Sequence, residues 1–303
     1  MSKKHQIPPG SQERHQQVSS KYFQSHRTNC SMESVGEDCS HHWCNTGIGF
    51  AVAEKLAAEG ASVFLASRDK QKGINAVIAI RKKIPSAVVN MIVLDLADLS
   101  QTRKTAEMVA ERIGHIDVVI CNAGIFNDAA FALHPIYNIE TQLQTLAVVI
   151  VTSSGQKHVS MDGISYESLE TNKNYPPMTL YGQSKLANML FAVGLNTRYQ
   201  SRIVATTVHP GEVATEIYRP PRFSLFWWLT PIVKLYQWWF HLPPSTAART
   251  VLAAASFSIP DNEIRGQYFL PPGVISKDHH VLAKDETAAD RLWKYSENIC
   301  NKY

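Results

Sequence analysis

Tyr181 and Lys185 are the two residues of this sequence whose types and spacing most directly indicate chemistry. They stand four positions apart in the run YGQSKLANMLF, and positions four apart share one face of a helix. A phenol titrates at about pH 10 in water, and a neighbouring ammonium favours its phenolate. The pair therefore suits general acid/base work near neutral pH. Because the same spacing also occurs by chance on exposed helices, the surrounding sequence has to decide its meaning.

A hydroxyl donor is expected near the same place. The apolar run VIVTSS ends in Ser153 and Ser154, and open α/β sheets bind their ligands at the carboxyl ends of the strands. We select Ser154 as the serine that hydrogen-bonds a substrate oxygen.

The elements that must position these side chains form an alternating pattern. From Gly47 onward, apolar runs typical of buried parallel strands alternate with amphipathic helical stretches. This predicts an α/β fold, a doubly wound parallel sheet with helices on both faces. The predicted strands span 62–67, 88–94, 117–121, 147–153, 203–208 and 267–270, and the predicted helices begin near Gly47, Ile74, Ser100, Leu180 and Pro244.

The two ends of the chain differ in character. Residues 1–40 are rich in Ser, Gln, His and Lys and lack apolar periodicity, so we predict a disordered polar tail. Residues 41–303 are predicted to form a single domain.

The composition excludes some partners. The net charge of +4 arises from 30 basic and 26 acidic residues without a basic block, so no nucleic-acid partner is expected. Five cysteines, an odd number, and the lack of a charged and then apolar leader favour the cytoplasm. Cys39, His41, His42 and Cys44 match no zinc-finger spacing, so no metal is predicted.

An apolar stretch, residues 223–240, reads FSLFWWLTPIVKLYQWWF and holds four of the six tryptophans. Pro231 and Lys234 interrupt it, which makes it a poor membrane-spanning helix. Two interpretations stay open: an apolar lid over a substrate pocket at about 219–243, which we favour, or a segment lying on a membrane surface.

The motifs together resemble one family. YGQSKLANMLF, with VIVTSS upstream and VHPGEVAT downstream, resembles the short-chain dehydrogenase/reductase family, and within it the retinol dehydrogenase and WW-domain oxidoreductase branch. The resemblance extends over roughly residues 45–299 and implies a Rossmann-like fold and hydride transfer to or from a nicotinamide. It implies that Tyr181 is the catalytic acid/base, that Lys185 lowers its pKa and holds the nicotinamide ribose, and that Ser154 binds the substrate oxygen.

The cofactor half of the resemblance is also present. Gly47, Ile48 and Gly49 stand at a helix start, where backbone amides and the helix dipole favour a pyrophosphate. Arg68 follows the next strand, where an arginine accommodates a 2′-phosphate, so NADP is favoured over NAD. By resemblance, the remaining cofactor contacts are Asp95, Leu96, Asn122, Ala123, Gly124, Pro210, Gly211 and Thr215. The Asp-Leu and Asn-Ala-Gly pieces can equally be turns without a binding role.

The sequence departs from the family pattern at two places. Aligning Gly47 with the family's glycine-rich turn puts Trp43 where a glycine is needed, and the preceding SVGEDCSHH lacks the β-branched run of a central strand. The first strand is therefore expected to be absent or atypical. Between Gly124 and Ser154 the chain is short by about one long helix, which carries the family's catalytic asparagine. Asn127 and Asn138 precede the matching point and are not assigned this role.

Two hypotheses follow. The first is an NADP-dependent oxidoreductase that acts on an apolar alcohol, aldehyde or ketone, such as a retinoid, steroid or lipid-derived carbonyl. The second is a catalytically inactive, truncated variant that acts at most as a binding protein. A homodimer and peripheral membrane contact are compatible with both hypotheses.

Overall fold

The computed structural model describes residues 29–33 (backbone only), 47–113, 115–123, 145–167, 176–213, 242–255 and 259–302. The predicted lid at about 219–243 lies outside these ranges except for its last two residues. Gly124 and Thr215 of the predicted cofactor site also lie outside them.

Eight strands of the described chain form one sheet, in the order β3-β2-β1-β4-β5-β6-β7-β8. The first seven pair in parallel, and β8 is antiparallel to β7. The strands are β1 (Asn29–Glu33), β2 (Ser62–Ser67), β3 (Val89–Val93), β4 (Val118–Cys121), β5 (Leu146–Val151), β6 (Ile203–Val208), β7 (Tyr268–Leu270) and β8 (Val274–Ser276). Because the order reverses between β1 and β4, the fold has the switch point at which doubly wound sheets bind nucleotides.

Helices cover both faces of this sheet. They are α1 (Ile48–Ala58), α2 (Lys70–Lys83), α3 (Leu99–Ile113), α4 (Pro177–Arg198), α5 (Pro244–Ala254), α6 (Asp261–Ile264) and α7 (Glu286–Cys300). Short 3-10 turns span Ser154–His158 and Val281–Lys284. The predicted fold class, an α/β doubly wound parallel sheet, is confirmed.

The core lies in two apolar layers. On one face, Phe50 and Leu56 of α1, Ile80 of α2 and Val251 of α5 pack on the sheet. On the other face, α3, α4 and α7 pack against β4 and β5, with Leu195 fully buried. The central strands read VVIC, LAVVIV and IVATTV and are almost entirely buried, which explains their continuous apolar runs.

The first strand corrects a prediction. β1 lies at Asn29–Glu33, inside the tail expected to be disordered, and pairs in parallel with both β2 and β4. The prediction of disorder is therefore wrong for these five residues, and the strand is atypical rather than absent. Its sequence, NCSME, has no alternating or β-branched pattern. The strand forms because β2 and β4 each present an unpaired row of backbone groups, which any extended segment can satisfy.

The other predicted strands agree with the structure to within two residues at each end, whereas β8 was not predicted. β8 has three residues, and its Val274 and Ile275 are exposed. A strand this short carries too little periodicity to be recognised in a sequence. No helix in the described part of the chain is long and apolar enough to cross a membrane.

Candidate active site

Tyr181 and Lys185 lie on one face of α4, as their spacing predicts. The Lys185 ammonium is 5.5 Å from the centre of the Tyr181 ring. Tyr181 is half-buried, whereas only 7% of Lys185 is exposed. Burial lowers the pKa of Lys185 to about 8, because the charged form is poorly solvated there. At neutral pH the side chain is still mostly protonated and can favour a phenolate beside it.

The two serines stand at the carboxyl end of β5 and differ in their contacts. Ser153 caps the 3-10 turn, since its hydroxyl accepts the backbone N–H of Gly155 at 3.3 Å. Ser154 begins the turn and is half-buried; among the described residues its hydroxyl has no hydrogen-bond partner. The Ser153 hydroxyl is therefore used to cap the turn, whereas the Ser154 hydroxyl is available to a ligand.

Two glycines bring this turn against α4. A β-carbon on Gly155 would lie 3.0 Å from the Cδ1 and Cε1 atoms of Tyr181. A β-carbon on Gly182 would lie 2.9 Å from the Gly155 carbonyl oxygen, closer than real contacts allow. Because neither glycine carries a side chain, the turn that contains Ser154 rests directly on the Tyr181 ring.

Hydrogen bonds fix α4 to the end of β5. The buried Thr152 hydroxyl donates to the Lys185 carbonyl at 2.7 Å, and the Asn188 amide donates to the Val151 carbonyl at 3.0 Å. The helix that carries the phenol and the ammonium is thus held to the strand that carries the serines. Apolar periodicity alone did not indicate the role of Thr152 and Asn188.

The predicted pyrophosphate site begins α1. Gly47 caps this helix with φ of 116°, and a β-carbon there would meet no atom within 4 Å. No side chain of the described residues caps the helix, and its first turn has no acidic residue. Ile48 and Gly49 form the first positions of the helix, where backbone N–H groups lack helical partners and the helix dipole favours an anion. These features fit a bound phosphate.

The predicted adenosine side lies at the ends of β2 and β3. Arg68 follows β2 and is exposed. The neighbouring Asp69 carboxylate caps α2 by accepting the Lys72 N–H at 3.0 Å. Asp95 follows β3; one of its carboxylate oxygens accepts the Ala97 N–H at 3.0 Å. The Asp95 carboxylate therefore stabilises a turn even without a cofactor. The half-buried Leu96 lies in the same turn.

Two further predicted segments reach the same edge of the sheet. Asn122 and Ala123 directly follow β4 and are half-buried. Pro210 and Gly211 follow β6, and Gly211 has φ of 90°. A β-carbon on Gly211 would lie 2.6 Å from Leu242 Cδ1, so this loop packs tightly on the segment that follows residue 241. Since β2 to β6 are parallel, all these segments share one edge with the serine turn.

Other predictions fall outside the described residues. These are Gly124 and Thr215, the segment that would hold the missing helix with Asn127 and Asn138, and the His and Cys residues near position 40. In the described part of the chain, no three His, Cys, Asp or Glu side chains are placed to share a metal ion. The bond from the His280 backbone N–H to the Gln156 side chain was not found from the sequence, because the two residues lie 124 positions apart.

Comparison with known proteins defines the class. The family model for short chain dehydrogenases matches residues 44–222, so the chain belongs to this family of oxidoreductases. The match begins after β1, at the position where the sequence departs from the family pattern.

Within the family, the chain belongs to the retinol dehydrogenase-like branch. It is 30% identical to retinol dehydrogenase 11 of Homo sapiens, over 83% of this chain and 82% of that protein. It is also 30% identical to the short-chain dehydrogenase/reductase drtF of Aspergillus calidoustus, over 85% of this chain and 91% of that protein. The fold is shared with an NADPH-bound short chain oxidoreductase of Pseudomonas aeruginosa, at a TM-score of 0.59 and 21% identity, over 82% of this chain and 97% of that one.

Proposed function

We propose that the chain is an NADP(H)-dependent oxidoreductase that interconverts an apolar alcohol with its aldehyde or ketone. The observation that carries the proposal is the Lys185 ammonium 5.5 Å from the Tyr181 ring, on a helix that packs against the serine turn. This arrangement supports proton transfer at a substrate oxygen, and the family membership supports hydride chemistry.

In the reducing direction, the Tyr181 hydroxyl donates its proton to the substrate oxygen as a general acid. The Ser154 hydroxyl donates a hydrogen bond to the same oxygen and stabilises the charge that develops on it. Lys185 stabilises the phenolate that remains. The nicotinamide, when bound, supplies the hydride that adds to the carbonyl carbon. In the oxidising direction the Tyr181 phenolate would accept the hydroxyl proton, and the oxidised nicotinamide, when bound, would accept the hydride from the same carbon.

For the cofactor, Gly47, Ile48 and Gly49 would hold the pyrophosphate, and the exposed Arg68 would pair with the 2′-phosphate of NADP. The NADPH-bound relative of the same fold supports this choice. Asp95, Leu96, Asn122 and Ala123 would line the adenosine and ribose side. Pro210 and Gly211 would meet the nicotinamide. Gly124 and Thr215 stay predictions.

A second candidate, a catalytically inactive binding protein, is favoured by two departures from the family pattern. β1 comes from a polar segment and is separated from Gly47 by residues 34–46, whereas a tight turn normally joins these two elements in nucleotide-binding sheets. The chain is also too short between Asn122 and Ser154 to hold the family's asparagine-bearing helix. A pocket that binds cofactor without turning over is consistent with both departures.

One experiment separates the two candidates. Purified protein is mixed with NADPH and a panel of apolar aldehydes and ketones, while Tm is measured with and without the cofactor. The enzyme hypothesis predicts turnover, a rise in Tm and, in Tyr181→Phe, a loss of turnover with the rise in Tm retained, because ligand binding to the native state alone stabilises it. A rise in Tm without turnover supports the binding protein. The absence of both contradicts the cofactor site itself.

The substrate class and surroundings of the protein are also proposals. A retinoid, steroid or lipid-derived carbonyl would suit the apolar stretch at 223–240, which would cover the pocket as a lid or contact a membrane surface. Location in the cytoplasm, peripheral membrane association and homodimer formation stay predictions.

A further inference from the structure

Gln156 connects the serine turn to a distant part of the chain. It lies two positions after Ser154, and its side chain is completely buried. Its carboxamide oxygen accepts the backbone N–H of His280 at 2.7 Å. His280 precedes the second 3-10 turn, and its Nδ1 accepts the Leu282 N–H at 3.1 Å. The Ser154 turn is therefore hydrogen-bonded to the segment 277–285, defined here as the C-terminal segment.

The residues on either side of Gln156 also fix the turn, each to a different element. Gly155 packs on Gly182 and on the Tyr181 ring. Lys157 forms an ion pair with Asp278 of the C-terminal segment. Of the three residues that follow Ser154, Gly155 contacts α4, whereas Gln156 and Lys157 contact the C-terminal segment, so the turn is held between these two elements.

The donor end of Gln156 faces a second buried polar group. Its Nε2 and the hydroxyl of Tyr268 are both buried, and neither has a hydrogen-bond partner in the described part of the chain. Burial raises the pKa of Tyr268 to about 12, while the nearby Gln156 amide acts in the opposite direction. The two groups therefore lie close together without meeting hydrogen-bond geometry. Such polar groups are rare in a core.

We propose that Gln156 is a positioning residue, which holds the turn that carries Ser154 against the Tyr181 ring by fixing this turn to the C-terminal segment. The proposal rests on the proposed function, because it assigns Gln156 to the reaction of that same site. Gln156 itself touches no reacting atom. It acts through Ser154, because its bond to the His280 N–H fixes the turn that carries this serine.

Two variants at this position and one matched control test the proposal. Gln156→Met removes the carboxamide but keeps a chain of similar length. Gln156→Glu keeps an oxygen for the His280 N–H and, when protonated, a donor. Gln183→Met is the control, because Gln183 is also buried, at 2% exposure, and its oxygen also accepts a backbone N–H, that of Ser165, at 2.7 Å.

We expect kcat to fall while the affinity for NADPH stays nearly unchanged. Gln156→Met should lower kcat at least about tenfold while the Kd for NADPH changes less than about twofold, since misplaced reacting groups slow chemistry without weakening distant contacts. Gln156→Glu should keep more of the activity than Gln156→Met, because its carboxyl oxygen can still accept the His280 N–H. Gln183→Met should lower Tm by as much as Gln156→Met does. Its kcat should stay within about threefold of the parent value. Equal losses of kcat in both Met variants would overturn the proposal.

Hydrogen exchange at backbone amides tests the same proposal without requiring enzyme activity. Amides at 154–158 and at 277–284 should exchange faster together in Gln156→Met and stay protected in Gln183→Met, because only the first variant breaks the tie. If the parent protein shows no turnover, the proposed function fails while the exchange result still decides whether the tie exists. Unchanged exchange at 154–158 in Gln156→Met would overturn the proposal even if the enzyme is active.

Discussion

Replacing Lys185 by methionine should make the cofactor-free protein more stable while removing its activity. The pKa of Lys185 falls from 10.5 to about 8 because burial penalises its charged form. At about 1.4 kcal/mol for each pKa unit, this difference corresponds to about 3 kcal/mol of lost stability near neutral pH. Methionine has a similar length and carries no charge, so the variant should regain most of that free energy of unfolding.

The sign of the pH dependence follows from the same values. The folded pKa lies below the unfolded one, so the unfolded chain binds more protons between about pH 8 and pH 10.5, and stability rises with pH across that window. The advantage of Lys185→Met should therefore be full below about pH 8 and vanish above about pH 10.5. At high pH both proteins are neutral at this position.

Urea denaturation at several pH values measures the effect, with Lys104→Met as the control because Lys104 is exposed on α3. The control should change the free energy of unfolding by less than about 0.5 kcal/mol at every pH. The reasoning is refuted if Lys185→Met is less stable than the parent at neutral pH, or if its advantage does not shrink as the pH rises.

Two other predictions concern the glycine contact and the cofactor. Gly182→Ala should reduce turnover and should lower the free energy of unfolding by a net of about 1 kcal/mol. The clash of the added β-carbon with the Gly155 carbonyl outweighs the gain in helix propensity. Urea denaturation and rate assays measure the two losses. Arg68→Glu should weaken NADPH binding by at least about tenfold while NADH binding is unchanged or improved. Fluorescence titration with each cofactor checks this, and equal losses for both would contradict the role of Arg68.

The sequence alone determined those features that depend on neighbours along the chain. A helical spacing of four puts Tyr181 and Lys185 on one face wherever the helix lies. The apolar runs at β4, β5 and β6 predict buried parallel strands because both faces of such strands must be covered. The fold class and the acid/base pair therefore follow from local patterns.

Only the tertiary structure decided the features that depend on partners distant in sequence. β1 has no strand-like pattern and forms because two neighbouring strands offer it backbone hydrogen bonds. The different contacts of Ser153 and Ser154 depend on a turn whose position is set by two glycines from different elements. The bond from Gln156 to His280 spans 124 positions. Such contacts leave no periodicity in the sequence, because packing rather than local propensity brings their partners together.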